Sequence, residues 1–163
     1  MKIGIDARLA LHEPHGMGKY ILQITRELAK IDHDNSYILY TDKNDLDHLL
    51  PDEIPIRVLP SGNYFLWEQI LLPRQAKRDG VDVLHCPANT APIHLHKNIA
   101  LVMTIHDVMY LHNGEGILEP GSWYQRLGAA YRRMVVPRAA RKAKLIMTDS
   151  NFSRNDILRF IKL

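Results

Sequence analysis

Apolar positions divide the chain into alternating strand-like and helix-like segments. Short apolar runs predict six strands, at residues 2–6, 36–41, 54–59, 81–85, 99–105 and 145–148. Apolar positions at helical spacing predict helices at residues 17–31, 44–50, 67–78 and 122–143, and a last helix after residue 153. Strands that alternate with helices in this way predict an α/β domain in which a mostly parallel, doubly wound sheet is flanked by helices.

The composition of individual strands predicts where they lie in the sheet. Residues 81–85 and 99–105 are almost wholly apolar, which is typical of central parallel strands covered on both faces. Pro55 and Pro60 punctuate residues 54–59 and place that strand near a sheet edge, because proline cannot donate a hydrogen bond to a neighbouring strand.

Helix ends and irregularities have their own signals. Pro73 suits a first helical turn, so residues 67–78 form either one helix or two. Pro137 predicts a bend in the long helix, since it removes a backbone donor. Ser153 and Asp156 form an S-x-x-D pattern that predicts the cap of the last helix.

Polar residues follow four of the predicted strands. They are Asp6 with Arg8, His85, His106 with Asp107, and Asp149 with Ser150. Ligands of open α/β sheets bind outside the carboxyl ends of the strands. The sequence therefore predicts a ligand site on this edge of the sheet.

The segment "HGMGKY" lies where the first strand connects to the first long helix. Gly16 and Gly18 permit positive φ and close approach of backbone N–H groups, and the helix directs its positive end to the same place. A phosphate group suits this corner, although an ordinary glycine turn explains the residues equally well. The segment is not a dinucleotide fingerprint, because Ile21 stands where the third glycine is required.

Length and composition restrict the class of protein. A chain of 163 residues with 46% hydrophobic content predicts one folded domain, and the net charge is only +3. The single cysteine, Cys86, cannot form an internal disulfide. No apolar run reaches the roughly 20 residues of a membrane span and no signal segment precedes the first strand, so we expect a soluble, cytoplasmic protein.

Six short motifs occur in register along nearly the whole chain. They are "GIDAR" at 4–8, "GMGKY" at 16–20, "WEQ" at 67–69, "DVLHCPANTAP" at 82–92, "TIHD" at 104–107 and "SNFSRNDI" at 150–157. Together they resemble the N-terminal domain of a GT-B glycosyltransferase of family 4, the glycosyl transferase group 1 enzymes. The resemblance implies a retaining sugar transferase, built from two Rossmann-like domains that face each other across a cleft.

The resemblance also implies roles for particular residues. The glycine corner of Gly16, Met17 and Gly18 reaches the diphosphate of a nucleotide-sugar donor. His106, followed by Asp107, lies beside the transferred sugar, where it stabilises positive charge that develops in the transition state. Nucleotide sugar is the donor substrate, and neither a cofactor nor a metal ion is expected.

In this family the N-terminal domain mainly holds the acceptor, which is a carbohydrate or a lipid-linked molecule. The acceptor candidates are Arg8, Tyr20, Trp67, Glu68, His85, Asn89, Thr90 and Ser150. Alternatives remain open for most of them. Trp67 and Glu68 either form a sugar-stacking platform or are buried against the sheet. His85 either lines the cleft or braces its loop, Asn89 and Thr90 suit turns as well as sugar hydroxyls, and Ser150 suits a helix cap.

The chain ends at Leu163, about where the linker to a C-terminal donor domain is expected. We therefore expect a domain that is inactive alone, whether excised or naturally truncated. The alternative is a non-catalytic binding module or one subunit of a two-chain transferase. A Rossmann oxidoreductase is disfavoured by the missing fingerprint, although Asp42 lies near the end of the second strand.

Two further residue groups suggest other ligands. His94 and His96 follow His85 and Cys86, but their spacing does not match a metal site. Basic residues crowd the long helix and its end: Arg126, Arg132, Arg133, Arg138, Arg141, Lys142 and Lys144. They either contact anionic lipid headgroups at the inner face of the membrane or form a solvated helix face. Nucleic acid is not an expected partner, because no binding module accompanies them.

Overall fold

The computed structural model describes residues 1–12, 15–112 and 123–162. Six strands form one sheet: β1 (Lys2–Asp6), β2 (Ser36–Thr41), β3 (Ile56–Val58), β4 (Val83–Cys86), β5 (Ala100–Thr104) and β6 (Leu145–Met147). The spatial order is β3-β2-β1-β4-β5-β6, and every neighbouring pair is parallel. The predicted doubly wound α/β fold is confirmed, with β3 at an edge and β4 in the middle.

Helices connect these strands. They are α1 (Arg8–His12), α2 (Met17–Ile31), α3 (Tyr64–Leu66), a π-helical segment (Trp67–Leu71), α4 (Leu72–Arg78), a 3-10 turn (Met109–Leu111), α5 (Trp123–Ala140) and α6 (Asn151–Ile161). The predicted start of the long helix at Ser122 lies outside the described residues. Pro137 lies inside α5.

Alternate residues of the strands supply two apolar cores. Leu39 packs with Ile21 of α2 on one face of the sheet. Ile38 and Tyr40, which point the opposite way, pack in the second core with Trp67. Both faces of the sheet are therefore covered, which explains why the central strands read as continuous apolar runs.

Tyr64 to Arg78 form one continuous helical run with a π turn in its middle. The Leu72 amide bonds the Trp67 carbonyl five residues earlier, and Pro73, which has no amide hydrogen, follows directly. The wider turn leaves Trp67 and Glu68 both fully buried. The π turn thus allows the helix to continue through Pro73, and it changes which side chains face the core.

The helix predicted at residues 44–50 is absent from the described structure. The Asp45 carboxylate instead accepts hydrogen bonds from the amides of Leu49 and Leu50, at 3.0 and 2.8 Å. A short side chain that captures backbone donors in this way competes with helical bonding. The prediction was therefore wrong for a local reason.

Of the two serines predicted to cap the last helix, only Ser150 does so. It is the N-cap of α6, because its hydroxyl accepts the Ser153 amide at 3.0 Å. The Ser153 hydroxyl donates instead to the carbonyl of His106, at 2.8 Å. The end of β5 and the start of α6 are thereby joined.

Gly4 leaves room for the Tyr40 ring on the neighbouring strand. A Cβ at Gly4 would lie 2.6 Å from Tyr40 Cε2 and against Val81 and Leu84. We expect Gly4→Ala to lower the free energy of unfolding by about 1–3 kcal/mol, the usual cost of overpacking a core, as measured by urea denaturation.

The matched control is Gly128→Ala in α5, where the nearest atom to the added Cβ is Arg132 Nη1 at 3.8 Å. Because alanine favours a helix over glycine by roughly 0.5–1 kcal/mol, this variant should be neutral or stabilised. Equal losses in the two variants would contradict the packing argument.

Candidate ligand site at the carboxyl edge of the sheet

The carboxyl ends of the strands bring the predicted polar groups to one edge. The strand order changes direction between β1 and β4, and this edge is where such sheets hold ligands. The residues that meet there lie in segments 6–8, 16–20, 85–90, 104–107 and 149–150. Because these segments share one edge of the sheet, their positions support the predicted ligand site.

The glycine corner lies beside His106. Gly16 precedes α2 with φ +51°, which is the left-handed region that favours glycine, and its carbonyl accepts the Tyr20 amide at 3.1 Å. Met17 begins α2, and Gly18 is buried in its first turn. The edge of the Tyr20 ring meets the His106 ring with centroids 5.0 Å apart. The glycine corner and the histidine therefore form one continuous surface.

Both ring nitrogens of His106 face hydrogen-bond acceptors. Nε2 lies 3.0 Å from the carbonyl oxygen of Pro87, and Nδ1 lies 2.6 Å from Oδ2 of Asp149. A carbonyl cannot donate, so Nε2 carries a proton, and a carboxylate opposite Nδ1 calls for a second proton between the two groups. Nε2 therefore donates to Pro87, and a hydrogen bond between Nδ1 and Oδ2 joins His106 to Asp149.

The two members of this pair differ in exposure. The His106 side chain is 14% exposed, whereas that of Asp149 is 54% exposed. A ligand hydroxyl that hydrogen-bonds His106 directly must displace Pro87 or Asp149. Asp149 offers a carboxylate at the surface, so it is the more accessible acceptor for such a hydroxyl.

The backbone of His106 is held as firmly as its ring. Its amide donates to Oδ1 of Asn89 at 2.6 Å, and its carbonyl accepts the Ser153 hydroxyl. Asn89 itself has φ +66° and donates its amide to the Thr104 carbonyl at 3.0 Å. Asparagine tolerates this left-handed conformation better than most residues. The loop after β4 therefore positions the histidine at the end of β5.

Asp107 has a local structural contact. Its Oδ1 accepts the Met109 amide at 3.1 Å, at the start of the 3-10 turn. This hydrogen bond shapes the turn that follows the site, and Asp107 remains partly exposed.

Arg8 contributes a positive charge at the end of β1. Its Nε donates to Oδ2 of Asp42 at 2.6 Å, and its guanidinium carbon lies 5.0 Å from the Tyr64 ring centroid and 5.9 Å from that of Trp67. His12 Nε2 lies 2.7 Å from the other oxygen of Asp42. Both carboxylate oxygens of Asp42 therefore have hydrogen-bond partners from α1. This weakens the argument from Asp42 for an oxidoreductase.

A buried hydrogen-bond network lies beneath the exposed edge, with Glu68 at its centre. Oε1 accepts the hydroxyls of Tyr64 and Thr90, and Oε2 accepts the Gln69 amide at 2.8 Å and the Tyr131 hydroxyl. These partners come from the helical run that contains Glu68 itself, from the loop after β4 and from α5. Glu68 is fully buried and therefore joins these three parts of the fold.

Asp6 is a second buried carboxyl near this network. Burial, and then the charge of Glu68, raise the pKa of Asp6 to about 7, although its Oδ1 accepts the Arg8 amide at 3.1 Å. Burial and the two carboxylates also raise the pKa of the Cys86 thiol well above its ordinary value. Cys86 is consequently an unreactive core residue.

His85 braces the sheet. Its Nε2 lies 2.9 Å from Oγ1 of Thr104 on the adjacent strand, and its side chain is buried. Burial lowers its pKa to about 4, so it is neutral at physiological pH. The contact joins β4 to β5, so His85 braces the sheet and not its own loop. Its burial leaves little of the ring to line a cleft.

Several other acceptor predictions need the same correction. Trp67 and Glu68 have no exposed surface, so they cannot form a sugar-stacking platform. Thr90 and Asn89 are buried, with Thr90 bound to Glu68 and Asn89 bound to the His106 amide. These residues support the edge from beneath through their contacts with the protein.

The candidates that remain accessible are fewer. Tyr20 is partly exposed, Arg8 is 18% exposed at its side chain, and Ser150 is exposed while it caps α6. Their binding roles remain predictions.

Three functional contacts were missed by sequence reasoning. Asp149 was recognised as a strand-end residue but not as the partner of His106, although both follow neighbouring parallel strands. Tyr64 lies four residues before Glu68 in the same helical run, whereas Tyr131 binds Glu68 from 63 residues away. The adjacency of β5 and β6 signals the first contact and helical spacing signals the second, but no sequence signal reveals the contact of Tyr131.

The histidines considered for a metal site are separated by the fold. His85 and Cys86 are buried in β4, whereas His94 and His96 lie in the loop that leads into β5. Within residues 1–12, 15–112 and 123–162, no three histidine, cysteine or carboxylate side chains are grouped so as to hold a metal ion.

The basic side chains of α5 bond to backbone carbonyls at several places. Arg133 donates to Tyr110, Arg138 to Met134 and Arg141 to Ile161, at 2.6 to 2.8 Å. These hydrogen bonds favour a structural role for the three arginine side chains, which nevertheless remain exposed to solvent. None of the helices in the described ranges has the length and apolar character needed to cross a bilayer.

The strand order and the flanking helices define a Rossmann-like α/β domain, and the candidate ligand site lies where the strand order changes direction. The model of "Glycosyltransferase Family 4" matches residues 14–162, and the chain belongs to this family. The sequence-based assignment is confirmed.

Other comparisons add little to this assignment. Among solved structures, dTDP-glucose 4,6-dehydratase from Bacillus anthracis, in complex with NAD, is similar with a TM-score of 0.49 and 16% identity. The alignment covers 91% of this chain and 53% of the dehydratase, so the chain spans about half the length of that protein. Among curated proteins, no sequence match was found.

Asp6 and His85 should give opposite pH dependences of stability. Between about pH 4 and 7 the Asp6 carboxyl keeps its proton in the folded state but has lost it in the unfolded chain. The contribution of Asp6 to the free energy of unfolding therefore falls as pH rises. The unfolded chain binds a His85 proton between about pH 4 and 6.5 that the folded state excludes, so stability from His85 rises with pH.

We therefore expect Asp6→Asn to make the free energy of unfolding rise more steeply with pH in this window, and His85→Gln to make it rise less steeply. Each slope should change by up to one proton, about 1.4 kcal/mol per pH unit. Urea denaturation at several pH values measures both slopes, with exposed Asp34→Asn as the control. Parallel profiles for all four proteins would contradict the assigned environments.

Proposed function

We propose that this chain is the acceptor-side domain of a nucleotide-sugar-dependent, retaining glycosyltransferase. Membership of the family supports sugar transfer, and the sequence resemblance supports the retaining course and the two-domain architecture. The observation that carries the site assignment is the contact of Tyr20 with His106, because it joins the glycine corner to the histidine in one surface.

In this proposal the glycine corner approaches the donor diphosphate. Gly16 is exposed, and apart from its two chain neighbours no heavy atom of the described residues lies within 4 Å of its missing Cβ. The positive end of the fifteen-residue helix α2 begins at Met17. An anion at that position gains from the backbone N–H groups and from the helix dipole. Lys19, exposed in the first turn, adds a cation nearby.

The pair of His106 and Asp149 receives the sugar. The exposed carboxylate of Asp149 accepts a sugar hydroxyl, and His106 fixes the orientation of that carboxylate through Nδ1. As the bond from the anomeric carbon to the leaving phosphate breaks, positive charge develops on the sugar, and a preorganised carboxylate close by stabilises it. The bonds of His106 to Pro87 and Asn89 keep this arrangement rigid.

A donor domain completes the cleft in this proposal. Of the basic side chains at the edge, Arg8 is already paired with Asp42, so little charge remains here to compensate a leaving nucleoside diphosphate. A two-chain transferase fits the same site, with the donor domain supplied by another polypeptide.

The 163-residue chain alone should bind ligand at this edge without turnover. We expect UDP-glucose or GDP-mannose to shift the amide resonances of residues 16–20 together with those of 106–107 and 149–150. Nucleoside diphosphate release in the presence of methyl glycosides should stay at the uncatalysed rate. Robust release by the isolated chain, or shifts that affect only one of the two groups of residues, would contradict the proposal.

Asp149→Asn tests the sugar contact. Loss of a charge-assisted hydrogen bond should weaken nucleotide-sugar binding about tenfold, as measured by the same amide shifts. Asp34→Asn removes one exposed carboxylate before β2, at the opposite edge of the sheet, and should leave binding unchanged. Equal binding by wild type and Asp149→Asn would exclude the proposed role.

A further inference from the structure

A second cleft lies at the amino edge of the sheet, away from the site described above. One wall is formed by residues 92–97, in the segment that leads into β5, and the other by Lys142 and Lys144, which precede β6. Its volume is about 210 Å³. The proposed sugar transfer does not use this cleft.

The cleft carries charges of one sign. Its ionisable lining residues are His94, His96, Lys97, Lys142 and Lys144. Among the residues that the structure describes, no aspartate or glutamate lines it, although the chain has 18 acidic and 21 basic residues. Within the described parts of the chain, the ion pairs involve none of these three lysines. The positive potential inside the cleft is therefore not neutralised by the protein.

The walls are held together before any ligand binds. Lys142 Nζ donates to the Ile93 carbonyl at 2.9 Å, across the two walls, and the Lys144 amide donates to the Leu101 carbonyl at 2.8 Å. The floor is formed by the buried side chains of Ile99 and Leu101. An apolar floor lowers the local dielectric, so the ammonium groups attract an anion more strongly than on an open surface.

We propose that this cleft binds the phosphate group of a phosphorylated ligand. Each lysine supplies up to three donors, and phosphate is the anion that such a cluster matches best. The cleft is smaller than the roughly 300–1,000 Å³ of sites for drug-sized ligands, so it holds one phosphate group, not a whole nucleotide. The same chemistry is offered by a free phosphate monoester and by a phospholipid headgroup.

Inorganic phosphate is the first probe. Its addition should shift the amide resonances of residues 93–99 and 142–145 with a single dissociation constant. The double variant Lys97→Gln with Lys144→Gln should weaken binding at least about tenfold, because two charge-assisted contacts are lost. Lys142 is retained so that its bond to Ile93 stays intact. Lys77→Gln, on the exposed surface of α4, is the matched charge control and should bind phosphate as wild type does.

Vesicles distinguish the two sources of phosphate. Sedimentation with phosphatidylcholine vesicles, with and without phosphatidic acid, measures headgroup binding. If sedimentation with vesicles requires phosphatidic acid and is lost in the double variant, the cleft binds a lipid headgroup. If the protein binds inorganic phosphate but not vesicles, the cleft binds a soluble phosphate ester. Shifts spread over the whole surface, or equal weakening in the double variant and Lys77→Gln, would overturn the proposal.

Discussion

The candidate site depends on how His106 is fixed. Its two ring nitrogens are bound by the Pro87 carbonyl and the Asp149 carboxylate, and its backbone is bound by Asn89 and Ser153. These four partners come from the loop after β4, the segment after β6 and helix α6. A single residue therefore holds together three segments that otherwise meet only at the edge of the sheet.

Beneath the edge, a second polar centre supports the first. Glu68 is buried with four hydrogen-bond donors around it, and Thr90, one of those donors, follows Asn89 directly in the loop that holds His106. A buried carboxylate without those donors would be strongly unfavourable, so the network also fixes the loop. The π segment before Pro73 makes this possible by directing Glu68 inward beside Trp67.

Much of the fold could be predicted from local patterns. Apolar runs fix the strands because each run is short and bounded, and the parallel order brings Asp6, His85, His106 and Asp149 to one edge without any knowledge of side-chain contacts. The glycine corner was predictable because Gly16 needs a positive φ that few residues adopt. The prediction of a helix at residues 44–50 failed because the Asp45 side chain binds backbone amides in that segment. The sequence left open whether Trp67 is buried or forms a sugar-stacking platform with Glu68. It could not decide, because burial of the pair depends on the π turn and on Tyr131, which is far away in sequence.

The hydrogen bonds of the His106 ring test the central claim most directly. Long-range proton–nitrogen correlation spectra of the ¹⁵N-labelled protein identify the ring nitrogen that carries a proton. The described geometry predicts a proton on Nε2 of His106, donated to the Pro87 carbonyl, and a cross-relaxation contact between the His106 and Tyr20 rings. A ring without a proton on Nε2 and without a contact to Tyr20 would contradict the account.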